Sequence, residues 1–145
     1  MSACTFFGHR DCYDLDPERL RSALEALIEA GADTFYVGHQ GQFDALVLSC
    51  LRRLRKNHRH ITVSVVLAYL PKKPEEEGYD DCGIYPEGME TVHPRFAVDR
   101  RNRWMIARSD CCLCYINHTW GGAWKFVSLA KRWGLTIQNL GSGNI

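Results

Sequence analysis

HITVSVVLAYL, residues 60–70, is the stretch that decides the fold. Isoleucine, threonine and valine crowd its centre, and its apolar character runs on without the polar alternation of a half-buried strand. Such a run reads as a strand covered on both faces, the kind that parallel sheets contain. The segments on either side agree. Upstream, Phe43, Leu46, Val47, Cys50, Leu51 and Leu54 recur at the three-and-four spacing of a helix. DTFYVG (33–38) reads as the strand before it. Earlier still, Asp16-Pro17 supplies an N-cap followed by a proline at the first helical position. Leu20, Leu24, Leu27 and Ile28 then form one apolar face, and Gly31 stops the helix. ACTFFG (3–8) is the first strand.

Downstream, residues 71–96 break the pattern. Proline, glycine and charge dominate them, with no sustained period, and a connection of that length reads as a long loop insertion. Helical patterning resumes over 97–109, and CCLCYI (111–116) gives a fourth strand. A helix over 122–132 ends near Gly134, and LTIQNL (135–140) gives a fifth strand. The tail GSGNI reads as loose. Strand and helix in alternation, with continuously apolar strands, predict one α/β domain over 1–145. Its expected core is a Rossmann-like, mostly parallel five-stranded sheet with helices on both faces.

The composition is that of a globular chain, with 46% hydrophobic and 24% charged residues. A formal net charge of +1 gives no general polyanion binder, so nucleic-acid binding across the whole surface is not expected. The N-terminus MSACTFFGHRD lacks the pattern of a signal peptide. No stretch approaches the roughly 18 apolar residues that span a bilayer. The expected location is cytoplasmic, with no membrane partner. Seven cysteines, Cys4, Cys12, Cys50, Cys82, Cys111, Cys112 and Cys114, include a formal C-x-x-C at Cys111 and Cys114. No second pair follows at zinc-site spacing, so reduced thiols packed as small hydrophobes are expected, with no metal and no cofactor.

In open parallel sheets ligands gather at the carboxyl ends of the strands, above all where strand order reverses. Three strand ends here carry glycine beside hydrogen-bonding side chains. The first delivers Gly8, His9 and Arg10, and the second Gly38, Gln40, Gly41 and, just beyond, Asp44. The third delivers His118, Thr119, Trp120, Gly121 and Gly122. In HTWGGAWKF (118–126), Gly121 and Gly122 precede a helix, where unpaired N–H groups and the helix dipole favour an anion. Lys125 falls in the first turn, the wrong end of a helix for a cation unless a phosphate lies near. Trp120 and His118 would stack on a base or ribose. The bland alternative is a tight turn with its tryptophans in the core. In DRRNRWM (99–105), Arg100, Arg101 and Arg103 crowd another helix start, and Asn102 shares a face with Val98, Met105 and Ile106. Arg100, Arg101 and Asn102 therefore join the candidate ligand contacts, against a solvated basic face as the alternative. Asp44 would cap amides or hold a ribose hydroxyl. No G-x-G-x-x-G, P-loop lysine or G-x-S-x-G motif is present.

Taken together, CTFFGHRD, FYVGHQGQFD, YPEG, PRFAVDRRNRWMI and CYINHTWGGAWKF closely resemble a bacterial and phage-associated branch of the SLOG superfamily, named for the Smf DNA-processing proteins and the Lonely-guy phosphoribohydrolases. The resemblance covers nearly the whole chain. It implies a Rossmann-like fold, a pocket for nucleotides or nucleotide-derived molecules, and homo-oligomers, with Trp104 or Trp133 available for such an interface. In some relatives it also implies a role in defence against phage. Enzymatic Lonely-guy proteins resemble a P-G-G-x-G-T-x-x-E pattern whose glutamate assists N-glycosidic cleavage. Here the place reads Trp120-Gly121-Gly122-Ala123-Trp124-Lys125, without the threonine or the glutamate. Binding is therefore expected over hydrolysis. The favoured function is capture of a nucleotide-derived signal, cyclic or of ADP-ribose type, sequestering it as a phage-type counter-defence protein. The alternative is an N-glycosidic or phosphoribosyl hydrolase using Asp44, Asp99 or Glu87. A blander third reading is an interaction module with an empty pocket.

Overall fold

The computed structural model of the protein describes residues 2–70 and 82–143. One sheet of six strands, all parallel to their neighbours, forms its centre. In chain order these are β1 (Ser2–Gly8), β2 (Ala32–Val37), β3 (Thr62–Val66), β4 (Cys82–Ile84), β5 (Cys111–Tyr115) and β6 (Thr136–Asn139). The helices are α1 (Pro17–Glu29), α2 (Gly41–Arg55), α3 (Ala97–Ala107) and α4 (Gly122–Arg132). The α/β, Rossmann-like architecture expected from the sequence is present, with one more strand than expected.

That strand, β4, lies inside the stretch expected to be loop. Three residues carry no readable period, and β4 is a strand because the edge of β3 offers it a ladder at Ser64, Val65 and Val66. Two short 3-10 turns, Met89–Thr91 and Pro94–Phe96, follow it. The remainder of the expected insertion, 71–81, lies outside the described residues. β3 is also shorter than the apolar run that announces it. The tail is corrected over 141–143, because Gly143 N donates to Ile116 O at 2.7 Å and Asn139 binds both Gly141 and Gly143, while 144–145 lie outside the described residues.

Continuous apolar strands serve two helical layers because successive side chains point to opposite faces. Phe6 stacks on Phe35 at 6.2 Å in the layer under α1 and α2. Its neighbour Phe7 stacks on Phe126 of α4 at 5.8 Å in the opposite layer. Leu24, Phe35, Phe43, Val47 and Leu51 fill the first layer, and Met105, Ile106, Ile116 and Val127 the second. Full burial of each such side chain contributes about 1.5–3 kcal/mol. The same alternation disposes of the C-x-x-C. Cys111 packs in the first layer and Cys114 in the second, so the two sulfurs face opposite sides of the sheet.

Strand order is β4-β3-β2-β1-β5-β6. From β1 the chain builds outward through β2 and β3 to β4, and α3 then returns it to the other side of β1. The order thus reverses between β1 and β5, whose carboxyl ends lead their loops to opposite faces and leave a crevice between them. Asp110 fixes the opposite end of this pair: its carboxylate accepts from Ala3 N at 2.9 Å, and its own N–H donates to Ala3 O at 2.8 Å. No helix among the described residues is long and apolar enough to cross a membrane.

Candidate ligand cleft at the strand-order reversal

The crevice is a cleft of about 670 Å³. Four segments meet in it: Gly8, His9 and Arg10 after β1, Gln40, Gly41 and Asp44 at the start of α2, Arg101 and Asn102 of α3, and His118, Trp120, Gly121 and Gly122 after β5. Phe7, Met105 and Phe126 give it an apolar floor.

Arg101 is the least expected group in it. It is only 2% exposed. Its Nε donates to Asn102 Oδ1 at 2.8 Å and one terminal nitrogen donates to Val66 O at 2.9 Å. Its other N–H groups make no hydrogen bond among the described residues. Burial lowers the Arg101 pKa against the opposing pull of Asp44, yet a guanidinium does not deprotonate in a protein. A positive charge with unused donors is therefore fixed at the wall of the cleft. Because a guanidinium only donates, the bond from Nε also settles the neighbouring amide. Asn102, 6% exposed, presents its oxygen to Arg101 and keeps its Nδ2 donor without a partner among the described residues.

Asp44 faces this cation across Gly38. A Cβ on Gly38 would stand 2.9 Å from Asp44 Oδ2 and 3.1 Å from Arg101 Cζ. Glycine is needed there because the two charged groups occupy that space. Asp44 Oδ2 also accepts from Gln40 N at 3.0 Å. Removal from water raises its pKa from 3.8 to about 6, against the lowering effects of the Gln40 amide and Arg101. Between those values the folded protein holds a proton that the unfolded chain releases. Stability contributed by Asp44 therefore falls as pH rises through that window, and the native state carries the whole penalty above it. Asp44→Asn keeps an oxygen for Gln40 and carries no charge. Its melting temperature at pH 7.5 is expected above that of the parent, by on the order of 1–3 kcal/mol of stability, with the advantage gone at pH 4. Thermal melts at the two pH values check this, and an unchanged or lower melting temperature at pH 7.5 refutes it.

A column of three rings forms another part of the lining. His118 lies between His9, at 3.6 Å between centroids, and Trp120, at 3.7 Å, with interplanar angles of 15° and 20°. His118 N donates to His9 Nε2 at 3.4 Å, so that nitrogen carries no proton. Burial and the adjacent His118 ring both lower the His9 pKa, which keeps the column neutral at its base. His118 Nδ1 lies 3.0 Å from Trp120 O, and a carbonyl only accepts, so Nδ1 bears the hydrogen. Trp120 remains 66% exposed.

Next to the column α4 begins without a cap. Gly121 takes φ 93° and ψ 176°, a conformation open in practice to glycine alone. No side chain caps the helix and no acidic residue occupies its first turn. The first amides of α4 are left for an anion.

Four expected contacts lie elsewhere. Lys125 is 3.0 Å from Asp99 of α3, which also accepts from Arg103 at 2.6 Å. Burial raises the Asp99 pKa, but those two cations outweigh it and hold the carboxyl below its ordinary range. A lysine sits at the wrong end of α4 because it answers a carboxylate on the neighbouring helix, not a phosphate. Arg100 lines a separate hollow with Glu87, Arg103 and Trp104. Thr119 does not line the cleft, and Gly38 borders it from behind Asp44 and Arg101. Of the three carboxylates considered for catalysis, Asp44 alone lines the cleft. Sequence reasoning passed over Asp11 and Asn117, which also line it and stand in the quoted CTFFGHRD and CYINHTWGGAWKF. It also missed the floor residues Met105 and Phe126, whose apolar helix positions read as ordinary core. Trp104 packs edge-on to Tyr36 with Arg108 over its ring, which leaves Trp120 as the tryptophan of the cleft. Among the described residues no group of three or more His, Cys, Asp or Glu is placed to hold a metal ion.

No protein-family model matches the chain, and no curated protein matches it significantly.

Proposed function

We propose that the cleft binds a nucleotide or nucleotide-derived molecule and retains it unchanged, withdrawing it from whatever receptor reads it. The observation that carries this reading is Arg101, a buried cation with unused donors, beside the equally buried Asn102 amide. Asp44 faces this guanidinium but accepts none of its hydrogen bonds, and buried donors left without an acceptor are costly; a phosphate would take them up. The uncapped start of α4 supports an anion on the facing wall, and Trp120 offers a flat apolar surface to a base.

Two measurements test this. Pure protein incubated with ribonucleoside mono- and diphosphates, then denatured, should return the bound nucleotide intact by mass spectrometry. Release of free base would replace the reading with a hydrolase. Failure of every nucleotide to raise the melting temperature would remove both, since ligand at 100 times its Kd stabilises by about 2.7 kcal/mol. Trp120→Ala is expected to weaken binding ten- to a hundredfold, the equivalent of a base–aromatic stack of about 1–3 kcal/mol. Calorimetric titration reads that loss, and unchanged affinity would show that the base lies elsewhere.

One observation favours the second reading. Asp44 lies in the cleft with a pKa of about 6, suited to a group that gives or takes a proton near neutrality. N-glycosidic cleavage by this protein would depend on it, and Asp44→Asn would then abolish release of base.

A further inference from the structure

Beside the cleft lies a second cavity of about 440 Å³, and the two share Gln40, Gly41 and Asp44 as a common rim. From that rim the second cavity follows one face of α2 through Asp44, Ala45, Leu48 and Arg52. The eight residue steps from Asp44 to Arg52, at the helical rise, give it a length of about 12 Å, enough for a base with its sugar. Its wall is apolar at Ala45 and Leu48 and polar at either end, as a nucleoside requires. The rim sets donors for an anion beside an acceptor for a hydroxyl. The guanidinium of Arg101 and the carboxylate of Asp44 converge over Gly38, which lines the second cavity while Arg101 lines the first. The start of α2 lies on the same rim, with Asp44 in its first turn holding the Gln40 amide.

Resting on the reading of the cleft as a nucleotide site, we infer that its ligand has two ring-bearing halves joined through phosphate. One half occupies the cleft beside Trp120 and the other the cavity along α2, with the phosphate linker crossing the Gln40–Gly41 rim beside Arg101. Arg101 donates to the linker through the N–H groups that Val66 and Asn102 leave unused. Asp44 has one oxygen held by Gln40 N, and the other accepts from a sugar hydroxyl. A mononucleotide fills only one side of the rim.

Calorimetric titration of the full chain with the ribonucleoside 5′-monophosphates, and with the corresponding symmetric dinucleoside diphosphates, tests this. The matching diphosphate-linked compound is expected to bind at least tenfold tighter than its monophosphate. Ala45→Trp fills the second cavity from an exposed helix position. It should reduce the two-part compound to the affinity of the monophosphate and leave monophosphate binding unchanged, which also shows that the variant is folded. Should Ala45→Trp lose all binding, Ala45→Glu places a charge instead of bulk at the same exposed site and should produce the same selective loss. Equal affinity of the two compounds for the parent protein, or a preference that survives both variants, overturns the two-part ligand and leaves the cleft as a mononucleotide site. Binding of neither compound overturns both.

Discussion

Arg101→Met is expected to raise the Kd for any bound nucleotide by a hundredfold or more while the protein stays folded. Methionine retains an unbranched apolar stem in the buried position and removes every donor. Hydrogen bonds to charged groups contribute about 1.5–3 kcal/mol each. Two lost together therefore correspond to at least two orders of magnitude in affinity. In the unliganded protein two effects oppose each other. Val66 O and Asn102 Oδ1 lose the donor that satisfies them, at about 1–3 kcal/mol each. Against that, a cation no longer has to be held out of water. Circular dichroism should therefore record a native fold, and titration should record the loss of binding. Arg101→Lys should fall between parent and methionine variant, since a point charge cannot keep Val66, Asn102 and a ligand together as a planar fork does. Parent-like affinity in Arg101→Met would show that the buried cation serves the fold alone.

The second large effect belongs to Gly8, and it falls on the fold. Gly8→Ala is expected to destabilise the protein by about 3–5 kcal/mol, above the usual cost of about 1–3 kcal/mol for an overpacked core. An added Cβ would stand 2.3 Å from Phe43 Cγ and 2.6 Å from Phe43 Cβ. Turning the side chain about its Cα–Cβ bond relieves only the first of these contacts. The second requires the opening turn of α2 to move, and Phe43 is 1% exposed in the first layer of the core. Urea denaturation should show a lowered midpoint with little change of slope. Phe43→Ala alone should cost about 3–5 kcal/mol. The double variant should cost less than the sum, because the clashing Cγ and ring atoms are gone and only the Cβ contact remains. Strict additivity would sink the steric explanation. The sequence reading gave Gly8 to the ligand; it does line the cleft, and its missing side chain also makes room for Phe43. A displaced α2 would also shift Gly41 and Asp44, so the same variant should weaken nucleotide binding.

Most of the cleft was legible because its residues stand at strand ends, and a parallel sheet brings strand ends together whatever else varies. His9, Gln40 and Gly121 needed nothing more than that rule. Arg101 was legible in a stricter sense than the reading used. It follows Val98 by three residues and precedes Met105 by four, which sets it on the buried face of α3, while Arg100 is turned away from that face by one helical step. Taking the arginines as a cluster hid the difference. Lys125 was read from the helix dipole, which is a local rule. Its partner Asp99 is remote in sequence and close only because α3 packs beside α4.

By itself the sequence determined the kinds and order of the elements, the double-sided sheet and the edge at which chemistry would gather. Hydrophobic period and capping act within a few residues, so they are written into each segment. Only the tertiary structure decided that β3 would recruit β4, that Phe43 would fill the space over Gly8, and that Lys125 would face a carboxylate while Arg101 faced the cleft. Those outcomes depend on the distance and angle between elements, which packing of the whole core sets and no single segment encodes.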